Sequence, residues 1–134
     1  MAGISNANPQ QIRLANEILG GRLVSVQNRF SPTFRTREPE LQLCEQLGIA
    51  FLPWSPLGGI SRAAVLGSRF APFAEVAAAH GVSPQQVCLA WLLARSPVVV
   101  PIPGSSRPLT ARDSAAAPDL TLTPDEVARL DAAG

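Results

Sequence analysis

The chain contains no tyrosine, no lysine and a single histidine, His80, among its 134 residues. Those gaps leave few side chains able to act as a general acid or base. Cysteine is also scarce. Cys44 and Cys88 both fall inside helical patterns without metal-ligand spacing, and beside one histidine they do not make a zinc site. Their reading is as buried small hydrophobes in a reducing compartment. Neither sign of charge dominates: 11 basic and 10 acidic residues leave a formal net charge of +1. That balance carries no footprint for nucleic acid or for an anionic membrane surface. No apolar run is long enough to span a bilayer, and Met1–Asn6 lacks the basic and apolar regions of a signal peptide. The expectation is a cytoplasmic protein with no nucleic-acid partner, no membrane partner and no metal.

What is present points to an α/β chain. A hydrophobic fraction of 46% suits a packed core, and the length suits one domain. Helix signals recur. Asn8 caps a helix that starts at Pro9, with Ile12, Ala15, Ile18 and Leu19 assigned to one face and Gly20-Gly21 as its stop. Pro39 opens a second helix carrying Leu41, Cys44 and Leu47, closed by Gly48. A third runs from about Pro72 to His80 and stops at Gly81. Ser83 with Gln86, and Thr123 with Glu126, have the spacing of capping boxes. Between the helices lie short β-rich runs, Arg22–Gln27, Ile49–Trp54 and Pro97–Ile102, apolar and barely alternating. Parallel strands covered on both faces read this way. Gly3-Ile4-Ser5-Asn6 reads as the tail of a further strand. The alternation of strand and helix predicts right-handed crossovers, in a doubly wound sheet or in part of a (β/α)8 barrel. Pro53 falls inside a predicted strand, where it removes a ladder donor.

In such architectures ligands bind beyond the carboxyl ends of the strands. Here those positions hold Ser5 and Asn6, Gln27 and Asn28, Trp54 and Ser55, and Gly104 to Arg107. Val98-Val99-Val100-Pro101-Ile102-Pro103-Gly104-Ser105-Ser106-Arg107 reads as a buried strand opening onto a phosphate-binding turn. Gly104 allows close backbone approach, Ser105 and Ser106 offer hydroxyls, and Arg107 offers a planar fork for phosphate oxygens. Ser5, Asn6 and Gln27 can pair with a carboxamide while Trp54 stacks on a ring, and Ser55-Pro56-Leu57-Gly58-Gly59 can lie along a pyrophosphate. The plainer alternative assigns Trp54 to the core, the amides to turn capping and Arg107 to an incidental place in a connection.

Gly3-Ile4-Ser5-Asn6, Val26-Gln27-Asn28, Trp54-Ser55-Pro56-Leu57-Gly58 and Pro101-Ile102-Pro103-Gly104-Ser105-Ser106-Arg107, in that order, resemble the aldo-keto reductases. Ser83-Pro84-Gln85-Gln86 through Leu93 and Leu122-Thr123-Pro124 extend the resemblance over nearly the whole chain. It implies the C-terminal half of a (β/α)8 TIM barrel: parallel strands with outer helices, about strands 5–8, as a single partial domain over residues 1–134. It also implies NADP(H) as cofactor. Ser5, Asn6 and Gln27 would bind the nicotinamide carboxamide, and Trp54 would stand where a ring-stacking aromatic belongs. Ser55, Leu57 and Gly58 would lie by the pyrophosphate, and Ser105, Ser106 and Arg107 would hold the 2′-phosphate beside Gly104. Asp113 and Ser114 are shorter than the pair the family often places near the adenine.

The family's catalytic aspartate, tyrosine, lysine and histidine come from the first four strands. This chain starts at about the fifth, so the resemblance assigns it no catalytic residue. The expectation is an NADPH-dependent reductase of aldehydes and ketones, present as its cofactor-binding half and inactive alone. A small carbonyl substrate would engage only with an N-terminal half supplied. The alternatives are a non-catalytic NADP(H)-binding or interaction module, or an inactive truncated fragment. The open barrel edges predict homo-oligomerisation.

Overall fold

The computed structural model describes residues 1–59 and 66–133. Its described elements run β1 (Ala2–Ser5), α1 (Pro9–Ile18), β2 (Leu23–Arg29), α2 (Glu38–Leu47) and β3 (Ala50–Trp54). There follow α3 (Leu66–Arg69), α4 (Ala71–His80), α5 (Pro84–Ala94), α6 (Pro108–Ala115), a 3-10 turn at Ala117–Asp119 and α7 (Pro124–Asp131).

Local chemistry accounts for the helix ends. Asn8 Oδ1 accepts the Gln11 N–H while Gln11 Oε1 accepts the Asn8 N–H, both at 2.9 Å, so the first capping box closes fully. Thr123 and Glu126 close another at the start of α7. At α5 only half of the box forms: Ser83 Oγ accepts the Gln86 N–H, but the Gln86 amide donates to the Ala116 carbonyl. The side chain is turned to a tertiary acceptor, and its Oε1 does not take the Ser83 N–H as a closed box requires. Gly48 and Gly81 end α2 and α4 in the left-handed conformation, which glycine enters without a Cβ clash. In α1, Ile12 is fully buried while Ile18 is 74% exposed, contrary to the face assigned from sequence. Ile18 lies about one and two-thirds turns beyond Ile12, which swings it out of the stripe that Ala15 and Leu19 share.

The three strands form a parallel sheet in the order β1-β2-β3, with Ser5 opposite Gln27 and Arg29 opposite Trp54. One face is packed under helices through Val26, Asn28, Phe51 and Pro53, all buried. The alternate residues Ser5, Gln27, Arg29, Leu52 and Trp54 share the other, more accessible face. The core beneath the sheet centres on Trp91 of α5, stacked on Phe30 at 6.3 Å and met edge-on by Phe73 at 6.2 Å.

Pro97–Ile102 does not form the predicted strand among the described residues. It makes one parallel bridge, Val99 to Phe51, with Phe51 N–H donating to Val98 O and Val100 N–H to Phe51 O. The Val99 N–H turns back to Ser96 O, and the next bond in register, from residue 53 of β3 to Val100 O, has no donor because residue 53 is proline, so the ladder stops at one bridge. Pro53 is nonetheless tolerated inside β3. The Phe51 N–H faces Val98, so by alternation the missing donor at Pro53 also faces away from β2 and costs that ladder nothing.

Candidate functional site

Two groups of polar residues stand at the carboxyl end of the sheet. The first is built on the strand ends themselves. Ser5 Oγ donates to the Gln27 carbonyl at 2.8 Å, and the Asn6 N–H donates to the same oxygen at 3.0 Å. Asn6 takes a left-handed turn (φ 54°), which asparagine enters more readily than most side chains. That turn carries its Oδ1 to the Trp54 indole N–H at 3.0 Å. Asn6 Nδ2 and the half-buried Gln27 amide have no intramolecular partner among the described residues. The cluster therefore offers donors and acceptors beside a half-buried aromatic ring. Asn28 is drawn away from it: fully buried, it accepts from Ala7 N–H at 3.0 Å and donates to Ala7 O at 2.8 Å, strapping the chain after β1 to β2.

The second group lines a cleft of about 850 Å³. One wall is the turn after β3, Ser55, Pro56, Leu57 and Gly59; the other is the loop Ile102 to Arg107, with Leu109, Thr110 and Asp113 of α6 and Gln85 of α5 closing the end. Ser55 (φ 51°) and the glycines Gly58 and Gly59 (φ 83° and 105°) tighten the turn, which the Gly58 N–H closes onto Ser55 O at 2.8 Å. Opposite, Ser105 Oγ accepts the Arg107 N–H at 3.2 Å and donates to Arg107 O at 3.0 Å, shaping the entry to α6. Pro108 begins that helix, whose first N–H groups face the loop without intrahelical partners. A helix N-terminus, two hydroxyls and the exposed Arg107 all favour an anion at this end of the cleft. A Cβ on Gly104 would meet nothing within 4 Å, so packing within the chain does not require glycine there. Asp113 adds the one carboxylate of the cleft wall, and Ser83 Oγ donates to it at 2.6 Å.

The residues assigned from sequence thus divide. Ser55, Leu57, Gly104, Ser105, Ser106, Arg107 and Asp113 share the cleft, and Gly58 sits in its turn without lining it. Ser5, Asn6, Gln27 and Trp54 form the separate strand-end cluster. Sequence reasoning missed Gln85, Leu109 and Thr110 as lining residues. Leu109, 77% exposed directly after the loop, carried the one usable signal, an apolar side chain where a solvated helix start expects a polar one.

Titratable groups away from the site are accounted for structurally. His80 closes the last turn of α4, and its Nε2 lies 2.8 Å from Glu126 Oε1. Burial pushes the Cys44 thiol up to about 11 and the Cys88 thiol higher still, which keeps both inert as nucleophiles.

The aldo/keto reductase family model matches residues 1–134. Pyridoxine 4-dehydrogenase of Escherichia coli is 36% identical over 129 residues, covering 96% of this chain and 43% of its own length. Among solved structures, the aldo-keto reductase of Bombyx mori in complex with NADP is 30% identical with a TM-score of 0.82. That alignment covers 97% of this chain and 43% of the silkworm one. An aldo/keto reductase from Klebsiella pneumoniae, in complex with NADP and acetate, is 25% identical with a TM-score of 0.83, over 97% of this chain and 46% of its own. The chain spans less than half the length of these relatives. Matched by the family model from end to end, the protein belongs to the aldo/keto reductase family, and its open parallel sheet with outer helices is the C-terminal half of that family's (β/α)8 barrel.

Proposed function

We propose that this chain is the cofactor-binding half of an NADP(H)-dependent aldo/keto oxidoreductase that reduces aldehydes and ketones, and that it does not turn over by itself. The observation that carries the reading is the cleft, where Ser105, Ser106, Arg107 and the start of α6 face the turn at Ser55–Gly59. Its volume lies within the range of small-molecule sites, and its donors suit a phosphorylated ligand. The NADP held by the silkworm and Klebsiella relatives supports the same assignment.

Bound here, the cofactor would supply a hydride to the carbonyl carbon. Arg107, Ser105 and Ser106 would hold its 2′-phosphate, which favours NADPH over NADH. Gly104 would leave room for the ligand, Ser55, Leu57 and Gly58 would border the pyrophosphate, and Asp113 would sit toward the adenine. Asn6 Nδ2, the Gln27 amide and the acceptor lone pairs of Ser5 Oγ complement a primary carboxamide, with Trp54 against the ring. The proton is a different matter. The chain contains no tyrosine, and the residues at its strand ends are neutral apart from Arg29 and Arg107, so the acid would come from the part of the barrel that these residues do not span. That neutrality also favours a second reading, a non-catalytic NADP(H)-binding module.

The two readings part on one experiment. Titration of the purified chain with NADPH, followed by tryptophan fluorescence with NADH as control, should give saturable quenching that prefers NADPH. The signal should come from half-buried Trp54, since Trp91 is fully buried. A folded sample that binds neither nucleotide would overturn both readings. Carbonyl turnover that appears only on mixing with an N-terminal half-barrel supports the split enzyme; inertness on mixing favours the module.

Buried, unpaired thiols suit a cytoplasmic setting. Self-association belongs to the same proposal, and the sheet edges are unequal for it. Ala2 and Asn6 donate into β2, so by alternation the N–H groups of Gly3 and Ser5 face the open side. The edge at Pro97–Pro103 has no comparable donors. Light scattering of a Gly3→Pro variant should therefore show less association than an equivalent change beyond Val99.

A further inference from the structure

Arg29 ends β2 on the accessible face of the sheet, opposite Trp54 in register and two residues beyond Gln27. Its guanidinium lies 4.6 Å from the centroid of the Phe34 ring and 5.8 Å from that of Trp54. Among the described residues it has no ion pair and no side-chain hydrogen bond, and its Nε is buried without a partner. The contrast with Arg95 is informative. Arg95 also has an unpartnered Nε, but its two Nη atoms are committed to Glu38 at 2.6 Å and Asp131 at 2.8 Å. Arg35 is likewise engaged, donating to Pro32 O, Asp131 O and Leu130 O. Those arginines hold the fold together; Arg29 is held by ring faces, and its fork stays uncommitted.

Aromatic faces engage the plane of a guanidinium and leave its in-plane N–H groups free; with Nε buried, the two Nη atoms are the pair left to match a carboxylate bidentately. Arg29 also stands at the ligand end of the strands, linked through Trp54 to Asn6 and away from the cleft that Arg107 borders. We propose that Arg29 is the specificity-determining residue for the substrate and recognises a carboxylate, so that the substrate class is carbonyl compounds bearing a carboxylate group. This rests on the reading of the strand ends as the carbonyl-facing part of an NADP(H)-dependent reductase.

The test follows the Arg29 Nε–H, Trp54 indole N–H and backbone amide signals of the full 134-residue chain by proton–nitrogen NMR, at constant ionic strength. The probes are pyruvate, its neutral methyl ester, inorganic phosphate and NADPH, each titrated separately. Pyruvate should shift the Arg29 and Trp54 signals saturably and methyl pyruvate should not. The Arg29→Gln variant should bind pyruvate at least about tenfold more weakly, with Arg29→Lys between, because a charge-assisted hydrogen bond is lost. NADPH-induced shifts at Ser105 and Ser106 should persist in Arg29→Gln. Equal responses to pyruvate and its ester, or an unchanged pyruvate response in Arg29→Gln, would overturn the proposal. Saturation by phosphate with none by pyruvate would also overturn it, marking a phosphate site instead. Loss of the NADPH shifts alone, with the pyruvate response intact, would count against the cofactor reading and leave the carboxylate assignment standing.

Discussion

The strand-end cluster and the loop cleft face the same end of the sheet, yet they are built differently. At the strand ends several polar groups are already engaged, Ser5 with Gln27 O, Asn6 Oδ1 with Trp54 and Asn28 with both polar groups of Ala7, while Asn6 Nδ2, the Gln27 amide and the Arg29 fork have no partner among the described residues. Across the cleft, Arg107 and Ser106 are exposed, and Gly104 has open space where a side chain would stand. One region is continuous with the ladder, the other a set of exposed donors around a helix start. Changes in the first should register as stability, and changes in the second as affinity. Where that separation fails, the comparison is wrong.

The largest stability effect is expected at Asn28. Asn28→Ala would leave the Ala7 N–H and C=O unpaired in the interior, costing about 2–4 kcal/mol at roughly 1–2 per group. Urea unfolding would measure it, and a loss below about 1 kcal/mol would show that the strap is incidental. Next comes Arg107→Gln, with NADPH affinity falling about 10- to 100-fold while the melting temperature holds, the worth of one charge-assisted contact. A comparable loss for NADH would remove the 2′-phosphate assignment. Trp54→Phe should cost about 1 kcal/mol through the lost indole bond to Asn6, and should abolish the NADPH-dependent quench. Gly104→Ala should leave unfolding unchanged and weaken NADPH binding a few-fold, in a residue whose added methyl the protein itself does not contact. Parallel losses of stability and affinity at that position would blur the two regions into one.

The smallest effect concerns α7, which lies outside both. The Thr123 backbone N–H and then His80 hold the Glu126 carboxyl below its ordinary range. A depressed folded value contributes stability that is present above the unfolded value and is lost as pH falls through the folded one. Glu126→Gln should therefore lower stability at neutral pH, converge with the parent below the folded value, and so flatten the acid limb of the stability profile. A variant whose acid limb matches that of the parent would show that the box carries no such linkage.

Much of this was legible from residue chemistry. Asn8, Ser83 and Thr123 mark helix starts because short side chains satisfy nearby N–H groups, and Gly48 and Gly81 mark stops because only glycine turns left-handed without cost. The strand-end positions could be read because the residues directly after the β-rich runs stand at the carboxyl end of the sheet. The rest was settled by distant partners. Gln86 had a local donor in the Ser83 N–H, yet its side chain turns to the Ala116 carbonyl instead. The valines of 98–100 have every strand propensity, but their pairing with β3 was limited by Pro53, a distant residue with no N–H to give Val100 O. Nothing in the spelling Gln27-Asn28-Arg29 distinguishes a free amide, a buried strap and an aromatic-held cation. Alternation sends Gln27 and Arg29 to one face and Asn28 to the other, and only the elements packed on each face decide their roles.

By itself, then, the sequence determined the order of the first three strands and the helices between them, and the positions of the caps, since each depends on groups within a few residues of one another. Tertiary structure alone decided that the predicted residues form two regions instead of one. It also decided that the edge at Pro97–Pro103 makes a single bridge, and that Arg29 lies between two rings with its fork uncommitted. These depend on contacts between segments far apart in the chain, where the competition between one buried hydrogen bond and another is resolved only when both partners are in place.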